Sequence, residues 1–546
     1  MKSFKNISHL GLVSGTARFL KIIEFIDARI PKNSNNQKLS HGEIFVCMIV
    51  NALSFTTRPM YLSSKFFKTM DLDHLLGKKI ECEWLNDDAI GRTLDALFEY
   101  GISELYMQMA AEAFNMAGIK YRIGHLDSTS IHYHGNSYEE PAYFTIDNKL
   151  TETPIVAALG YSRDAHPELK QVMLQMISDT VSGSPLFMKP QDGNTNDTKG
   201  FNPALELVSS MKGALALDYL VADAAMYSAD NLLDAQKYNV KIITRAPQKI
   251  KEVGLAVKEA NKIGFTDIDE NYSGCFIDSC YGGIPQKWLV IHSVQADSRA
   301  IKTIDNKVKK ELEKQTSELN KLSKQEFNCE PDAVACLAKF QKKLKLIKVS
   351  NFSIREEKKF STAGRHKKGE QPDVSKYYID AVLEKNQEII DIEKQECGCF
   401  VIATNDIAKE WEMAELLYIY KDQQKVERGF RFLKSPRFFA DSLFIKTPHR
   451  IEALLMIMVS SLLVYSLSEY MLRKNLKAKS AYVPSQTKKP TNNPTMSWVY
   501  DLFMNIGTIQ IDEEMHYTTL EPEQITVIQC LGYPWLDVYH DNLNQD

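Results

Sequence analysis

From Tyr121 onward, short β-rich runs give way to an alternation of strand-like and helix-like segments, and this order limits the fold more than any other feature of the chain. RIGHLDSTSIHYHG, PIVAALGY and LKQVMLQMI read as three consecutive strands separated by turn signals, and DGNTNDTKG reads as a loop. A helix follows at Pro203–Met211, then the strand LDYLVAD, a helix around Ser228–Tyr238 and the strand VKIITRA. Consecutive strands followed by strand–helix–strand units predict a mixed sheet with parallel connections in its second half. Residues 119–247 are therefore expected to form the first part of an α/β domain.

The flanks read differently. Residues 1–118 are helical in pattern: Ser40-His41-Gly42-Glu43 has capping-box spacing ahead of IFVCMIVNAL, Asn86 precedes a second amphipathic run, and Ile102–Met116 gives a third. This segment reads as a helical N-terminal domain that could include a helix-turn-helix, although no recognition helix stands out. Residues 248–396 interrupt the alternation with a hairpin (Cys275–Ile277 and Trp288–Ile291), long charged helices from about Ser298 to Val349 and the loop STAGRHKKGEQPD, and are expected to be an insertion. The α/β domain resumes over 397–475 with the strand CGCFVIATN, one long helix Ile407–Lys434 and an apolar helix over 449–472. The linker KKPTNNPT and a small C-terminal unit with Trp498 and Trp535 complete the chain over 476–546.

Composition excludes several classes. Ala453–Leu467 is the most membrane-like stretch, but it falls short of the ~20 residues that span a bilayer and reads as a buried core helix. The N-terminus lacks the apolar core of a signal peptide. The nine cysteines are scattered with no C-x-x-C pair, which points to a reducing, cytoplasmic setting with idle thiols. No phosphate-loop or H-E-x-x-H pattern is present, and the net charge is only −4. Charge is nevertheless uneven: residues 299–370 hold 19 Lys/Arg against 10 Asp/Glu, a local +9 that leaves −13 on the rest. A phosphate-facing segment and a solvated lysine-rich hairpin both fit that asymmetry. Lys358, Lys359, Arg365, Lys367 and Lys368 are the candidate contacts.

Three acids stand out. Asp127 lies inside a β-run, where a buried carboxylate needs a partner. Asp223 closes the strand Tyr219–Asp223, at the carboxyl edge where α/β sheets build sites. Glu427 lies in YIYKDQQKVERGFRFLK, where helical geometry puts Tyr420, Gln423, Glu427, Arg431 and Lys434 within a sector of about 80°. Taken singly, each aspartate is more often structural than catalytic, Asp223 as a cap on the next helix, and the glutamate's helix face alone reads as an exposed, ion-paired surface. Together they suit phosphodiester cleavage, in which two metal ions ~3.5–4 Å apart activate the attacking oxygen and stabilise the leaving one. His125, His132 and His134 near Asp127 are a weaker transition-metal candidate.

At these residues the sequence resembles the DDE transposases of bacterial insertion sequences, and most closely the subgroup marked by Tyr-x2-Arg-x3-Glu-x6-Lys. Tyr420, Glu427 and Lys434 stand at that spacing, while Gln423 occupies the arginine position. HLDSTS around the first acid, VADAAMYS followed by IITRAP around the second, and the large insertion before the glutamate also match. The resemblance implies an RNase H-like mixed sheet with flanking helices and two Mg²⁺ or Mn²⁺ ions on Asp127, Asp223 and Glu427. It implies cleavage by water at the element's terminal inverted repeats, then attack of the freed 3′-hydroxyl on target DNA, carried out by a dimer on double-stranded DNA at the nucleoid. Tyr420, Lys434, Arg428 and Arg431 would contact DNA phosphates, with Arg428 or Arg431 covering for Gln423. Related elements hold a flipped base on an inserted aromatic ring, and Trp288 is the candidate for that role. An RNase H-fold nuclease without strand transfer and a non-catalytic DNA-binding descendant are the competing readings.

Overall fold

The computed structural model describes residues 3–32, 37–55, 63–120, 122–133, 145–146, 149–150, 154–160, 166–195, 201–210, 216–359, 374–434, 447–511 and 514–543. His134 and residues 360–373, with Arg365, Lys367 and Lys368, lie outside them.

The expected mixed sheet is present and has nine strands: β1 (Ile123–Tyr133), β2 (Lys170–Asp179), β3 (Pro185–Gln191), β4 (Tyr219–Ala222), β5 (Ile242–Ala246), β6 (Thr266–Asp269), β7 (Tyr272–Tyr281), β8 (Ile284–Ser293) and β9 (Cys399–Thr404). Their order is β3-β2-β1-β4-β5-β9-β8-β7-β6. β1, β4 and β5 are mutually parallel, and the other neighbours are antiparallel. PIVAALGY is not a strand, since Ala158 makes one isolated bridge to Gln171. The third strand is PLFMKPQ instead, hidden in the sequence because Pro185 and Pro190 argue against a strand; at the sheet's edge they leave no ladder bond unmade on the outer side.

Alternation along the strands divides the sheet into two apolar faces. Leu126, Ile177, Leu220, Ala222, Ile242, Trp288, Val290 and Val401 pack under the helices Phe201–Ser210, Ala229–Lys237 and Lys251–Ile263. The opposite face is covered by three helices in the second half of the chain. Leu416 and Leu417 of α3 (Met413–Lys421) sit on Val221, Ile243, Leu289 and Ile402. Val426, Phe430 and Leu433 of α4 (Gln424–Leu433) join Val172, Leu174 and Met176 in a core built around α5 (Pro448–Ala478). By length and composition α5 could cross a membrane, yet 83% of its apolar stretch is buried, and it is the central helix of the domain, as expected.

Two boundaries move. The hairpin β7–β8 belongs to the main sheet, because β8 pairs with β9 from Lys287↔Thr404 to His292↔Cys399. The insertion therefore begins at Val294 rather than at 248. It holds α2 (Val294–Leu322), the helix Glu330–Gln341, a two-stranded ribbon (Ile347–Lys359 with Val374–Lys385) and the helix Gln387–Glu396. The C-terminal segment is likewise not a separate unit. The strand Gly507–Ile511 pairs with Ser3–Asn6, and Trp535 and Tyr539 pack with α1 (Leu10–Phe19) in the core that also contains α5. The N-terminal helices form where their caps predicted: Ser40 and Glu43 make a reciprocal capping box, and Asn86 caps Asp87–Tyr100.

Candidate active site

Strand register sets two of the three acids side by side. Leu126 of β1 pairs in parallel with Ala222 of β4, so Asp127 and Asp223 follow directly as neighbours on strands about 4.8 Å apart. Asp127 shares a face with Met176, its partner on β2, and Asp223 continues the face of Val221; both belong to the side covered by α3 and α4. The row extends one strand further. Ala222 pairs with Thr244 of β5, so Arg245 comes next to Asp223 on its other side. Sequence reasoning misses Arg245, which looks like one basic residue in a buried strand. The available signal is its place at the same strand end as Asp223, two parallel neighbours aligned by their carboxyl termini.

Both aspartates are half-buried and held by local backbone. Asp127 accepts the Ser128 N–H at 2.7 Å through Oδ1. Asp223 accepts the Ala225 N–H at 3.0 Å, and the Thr244 hydroxyl donates to the Asp223 carbonyl at 2.7 Å. The turn that follows runs into Ala229–Lys237, whose N-cap is Ser228 rather than Asp223, so the simple capping explanation of this acid does not apply.

Glu427 comes from above the sheet. α4 lies across β1 and β2, with Gly429 between α5 and the sheet. A Cβ there would meet Leu462 of α5 at 3.2 Å and Met176 at 4.0 Å, and Met176 is the cross-strand partner of Asp127. The helical turn bearing Glu427 is thus seated over the strand position of the first acid, with the glutamate itself exposed. Tyr420, at the end of α3, connects the parts electrostatically. Burial pushes its phenol up most; the Arg245 cation pulls it back, and the Asp223 and Glu427 carboxylates push it up again. Asp223, Arg245, Tyr420 and Glu427 therefore share one field.

The helix carrying these groups differs from expectation. Residues 407–412 are not helical, and α3 and α4 are separate, joined at Asp422 and Gln423. Gln423 N–H bonds to Tyr420 O and Val426 N–H to Gln423 O, so the chain tightens to three-residue bonds at the junction. Each half follows its own apolar anchor, Leu416 and Leu417 or Val426 and Phe430. The 80° sector of a straight helix therefore does not carry over. Arg428 and Arg431 are exposed, and Lys434 is half-buried at the C-cap of α4.

Two candidates are displaced. Trp288 is fully buried on the sheet face opposite the acids, and its indole N–H donates to Gln286 Oε1 at 2.8 Å. A ring in that position cannot stack on an extruded base without opening the sheet. His125 and His132 do not form a cluster: seven residues of extended strand separate them by roughly 23 Å, and the His132 ring meets His166 edge-on at 5.5 Å.

Among the described residues, no three His, Cys, Asp or Glu side chains form a ready-made metal cage. What the geometry offers is a fixed pair of carboxylates with a third on the helix above, an all-oxygen set that suits a hard divalent cation retaining several waters.

The family model described as a transposase DDE domain matches residues 118–465. A model described as a domain of unknown function matches residues 2–111. No curated protein matches. Among solved structures, a cryo-EM structure of the piggyBac transposase synaptic complex with hairpin DNA is similar over 92% of this chain and 82% of that one, at 11% identity and a TM-score of 0.35, too slight a likeness to argue from.

Proposed function

This chain belongs to the transposases with a DDE domain, and from that premise we propose that Asp127, Asp223 and Glu427 are its catalytic acids, acting at the ends of a bacterial insertion sequence. Enzymes of this family generally use divalent metal ions to cut and join DNA. Here the three carboxylates would hold two Mg²⁺ or Mn²⁺ ions, which lower the cost of generating the attacking oxygen and of releasing the leaving one. The observation that carries the reading is the shared row of Asp127 and Asp223 on parallel strands inside the matched domain. The sheet fixes these two acids before DNA arrives. Glu427, exposed on α4, is free to complete the set against a bound phosphate.

The surrounding residues place the DNA. Arg245 supplies a cation beside Asp223, and Tyr420 stays protonated and can donate to a phosphate oxygen. Arg428, Arg431 and Lys434 extend the basic surface along α4. Water cuts first at the terminal inverted repeats, and the 3′-hydroxyl then attacks target DNA, with two chains holding the two ends at the nucleoid.

The test is incubation of the full chain with DNA carrying its flanking ends and Mg²⁺, reading cleavage and joining on each strand. Cleavage followed by joining is expected. Cleavage without joining would make the protein a nuclease, and binding without cleavage a non-catalytic descendant. Asp127→Asn, Asp223→Asn and Glu427→Gln should each abolish cutting while leaving the fold and end binding intact, and a variant that cuts at the wild-type rate removes its acid from the site.

A further inference from the structure

The two parts of the insertion differ in how their cations are paired. On the ribbon three of the six cations make ion pairs among the described residues: Arg355 with Asp380 and Glu357, Lys348 with Glu384, and Lys359 with Glu326. On α2, Arg299, Lys307, Lys310, Lys314 and Lys321 are all exposed, and none of the five makes an ion pair among the described residues. At 100° per residue they fall within about 80° of one another on the helix, a sector that contains Thr303 and Ser317 but no acid. Of the acids of α2, Asp305 pairs with Lys394, Glu311 accepts the backbone N–H groups of Lys345 and Leu346, and Glu318 and Glu313 flank the sector about 20° and 40° beyond its edges.

The position of the helix matters as much as its charge. β8 is antiparallel to β9, which is antiparallel to β5, so β8 ends at the same sheet edge as β4 and β5. The row of Asp127, Asp223 and Arg245 continues through Ile402 to Leu289, and α2 starts five residues beyond Leu289. Four strand spacings, roughly 19 Å, separate Asp127 from β8 across the sheet. The other end of the insertion is fixed at the same place, where the Ser293 N–H bonds to the Gly398 carbonyl at 3.1 Å. The basic helix therefore rises from the edge that carries the acids.

We propose that this face of α2 is a backbone clamp for duplex DNA beside the active site; the inference rests on the transposase reading above. From Arg299 to Lys321 the helix rises roughly 33 Å, close to one turn of duplex at about 34 Å. α2 has no aromatic residue, so it offers no stacking platform for a single strand. Beyond Val294 at its first position, its large apolar residues are buried (Ile304, Val308 and Leu319) or half-buried, so it offers no apolar face to a lipid surface. What remains is a straight row of unpaired cations, which matches a rigid polyanion and carries no base-reading groups of its own.

The experiment measures binding of the full chain to a duplex of arbitrary sequence across a salt series, in EDTA so that no strand is cut. One variant replaces Arg299, Lys307, Lys310, Lys314 and Lys321 with Gln; a second replaces Lys348, Arg355 and Lys359 with Gln as the ion-paired control. Thermal melts confirm that both fold. The first should flatten the log-log salt slope by about 0.9 for each phosphate it no longer neutralises, up to about 4.5 units in all, and the control should keep the wild-type slope. Equal slopes for the α2 variant and wild type would remove the clamp while leaving the transposase reading intact. A flattened slope in the control alone would move the DNA to the ribbon. Failure of the wild-type chain to cut its own ends in Mg²⁺, read in the separate cleavage assay, would overturn the functional reading itself.

Discussion

Ala222 pairs with Thr244, so the residues that follow them, Asp223 and Arg245, stand side by side as acid and cation at the ends of two parallel strands. Such a neighbour does more than balance charge. A guanidinium beside a metal-binding carboxylate can reach a phosphate oxygen that the metal also contacts, which fixes the substrate on both sides.

The first prediction follows from that pair. Arg245→Ala should slow end cleavage by roughly 10- to 100-fold, the scale of one charge-assisted hydrogen bond, with little change in melting temperature. Arg245→Lys should recover part of the rate. Gln423 occupies the position where the subgroup pattern has arginine, so Gln423→Arg should also recover part of the loss when combined with Arg245→Ala. Single-turnover cleavage of end DNA measures all three; an Arg245→Ala enzyme cutting at full rate would reduce Arg245 to a structural residue.

Trp288 provides a second test, because burial and base-holding predict opposite outcomes. The side chain is fully buried and shares Gln286 Oε1 with the Tyr227 hydroxyl. Trp288→Ala should destabilise the chain by about 3–5 kcal/mol, visible as a lower melting temperature and poor yield. Trp288→Phe should fold and retain wild-type cleavage and joining per folded molecule. A Phe variant with normal stability but a specific defect at the cleavage step would reinstate the base-holding role.

How much is legible in the sequence depends on whether the controlling interaction is local. Ser40, Asn86 and Ser228 sit beside the helices they cap, and the order of strands from β1 to β5 follows chain order closely enough to read. The two aspartates can be picked out because each sits at an unusual strand position. Arg245 cannot, since its significance arises only when β4 and β5 pair in register. Pro185 and Pro190 hide a strand because their tolerance depends on its being at an edge, a fact that belongs to the whole sheet. Trp288 misleads for the same reason: a hairpin looks like an insertion until its second strand is seen pairing with β9, more than a hundred residues later.

A third prediction concerns pH. Asp95, on the helix Asp87–Tyr100, accepts Arg450 Nε at 2.6 Å and a second Arg450 nitrogen at 2.8 Å, with His449 Nε2 at 2.9 Å. Burial alone would raise its carboxyl; the hydrogen bonds and charge of Arg450 and His449 outweigh it and bring it down to about 2. A carboxyl depressed on folding stabilises above its ordinary value and loses that contribution as pH falls through the folded one. Asp95→Asn should therefore cost about 1 kcal/mol at neutral pH, a modest figure because Arg450 is partly exposed and solvent screens the pair. Denaturant titrations of the two proteins should converge between pH 4 and about 2. A gap that stays constant over that window would mean that the clamp acts through packing.

The last prediction concerns the chain's two ends, which the sequence suggests are separable. Ser3–Asn6 forms the edge of a sheet whose next strand is Gly507–Ile511, so it loses its ladder when the C-terminal segment is removed. α1 carries Gly11 and Gly15 one turn apart on one side. A Cβ at Gly15 would come within 2.4 Å of the Trp535 ring, and one at Gly11 within 2.4 Å of the Tyr539 ring, so these glycines let the C-terminal helices lie directly on the backbone. Polar contacts fix the fit: Trp535 donates its indole N–H to the Leu12 carbonyl at 3.1 Å, and Thr508 donates to Asp71 at 2.7 Å. Trp535 and Tyr539 are among the largest fully buried side chains, and removing either leaves a void that nothing local can fill. A chain ending at Lys479 should therefore lose the folded N-terminal helices along with the deleted segment, and residues 2–111 expressed alone should not fold. Limited proteolysis and circular dichroism of the two fragments test this, and mixing the short chain with a peptide of residues 480–546 should restore helicity if the two ends form one core. A stable, soluble 2–111 fragment with cooperative unfolding would show instead that the N-terminal helices are an independent domain on which the C-terminal segment merely docks. Gly15→Leu in the full chain separates these outcomes without truncation. It should lower the melting temperature of the whole protein if the core is shared, and should only release the C-terminal segment to protease if it is not.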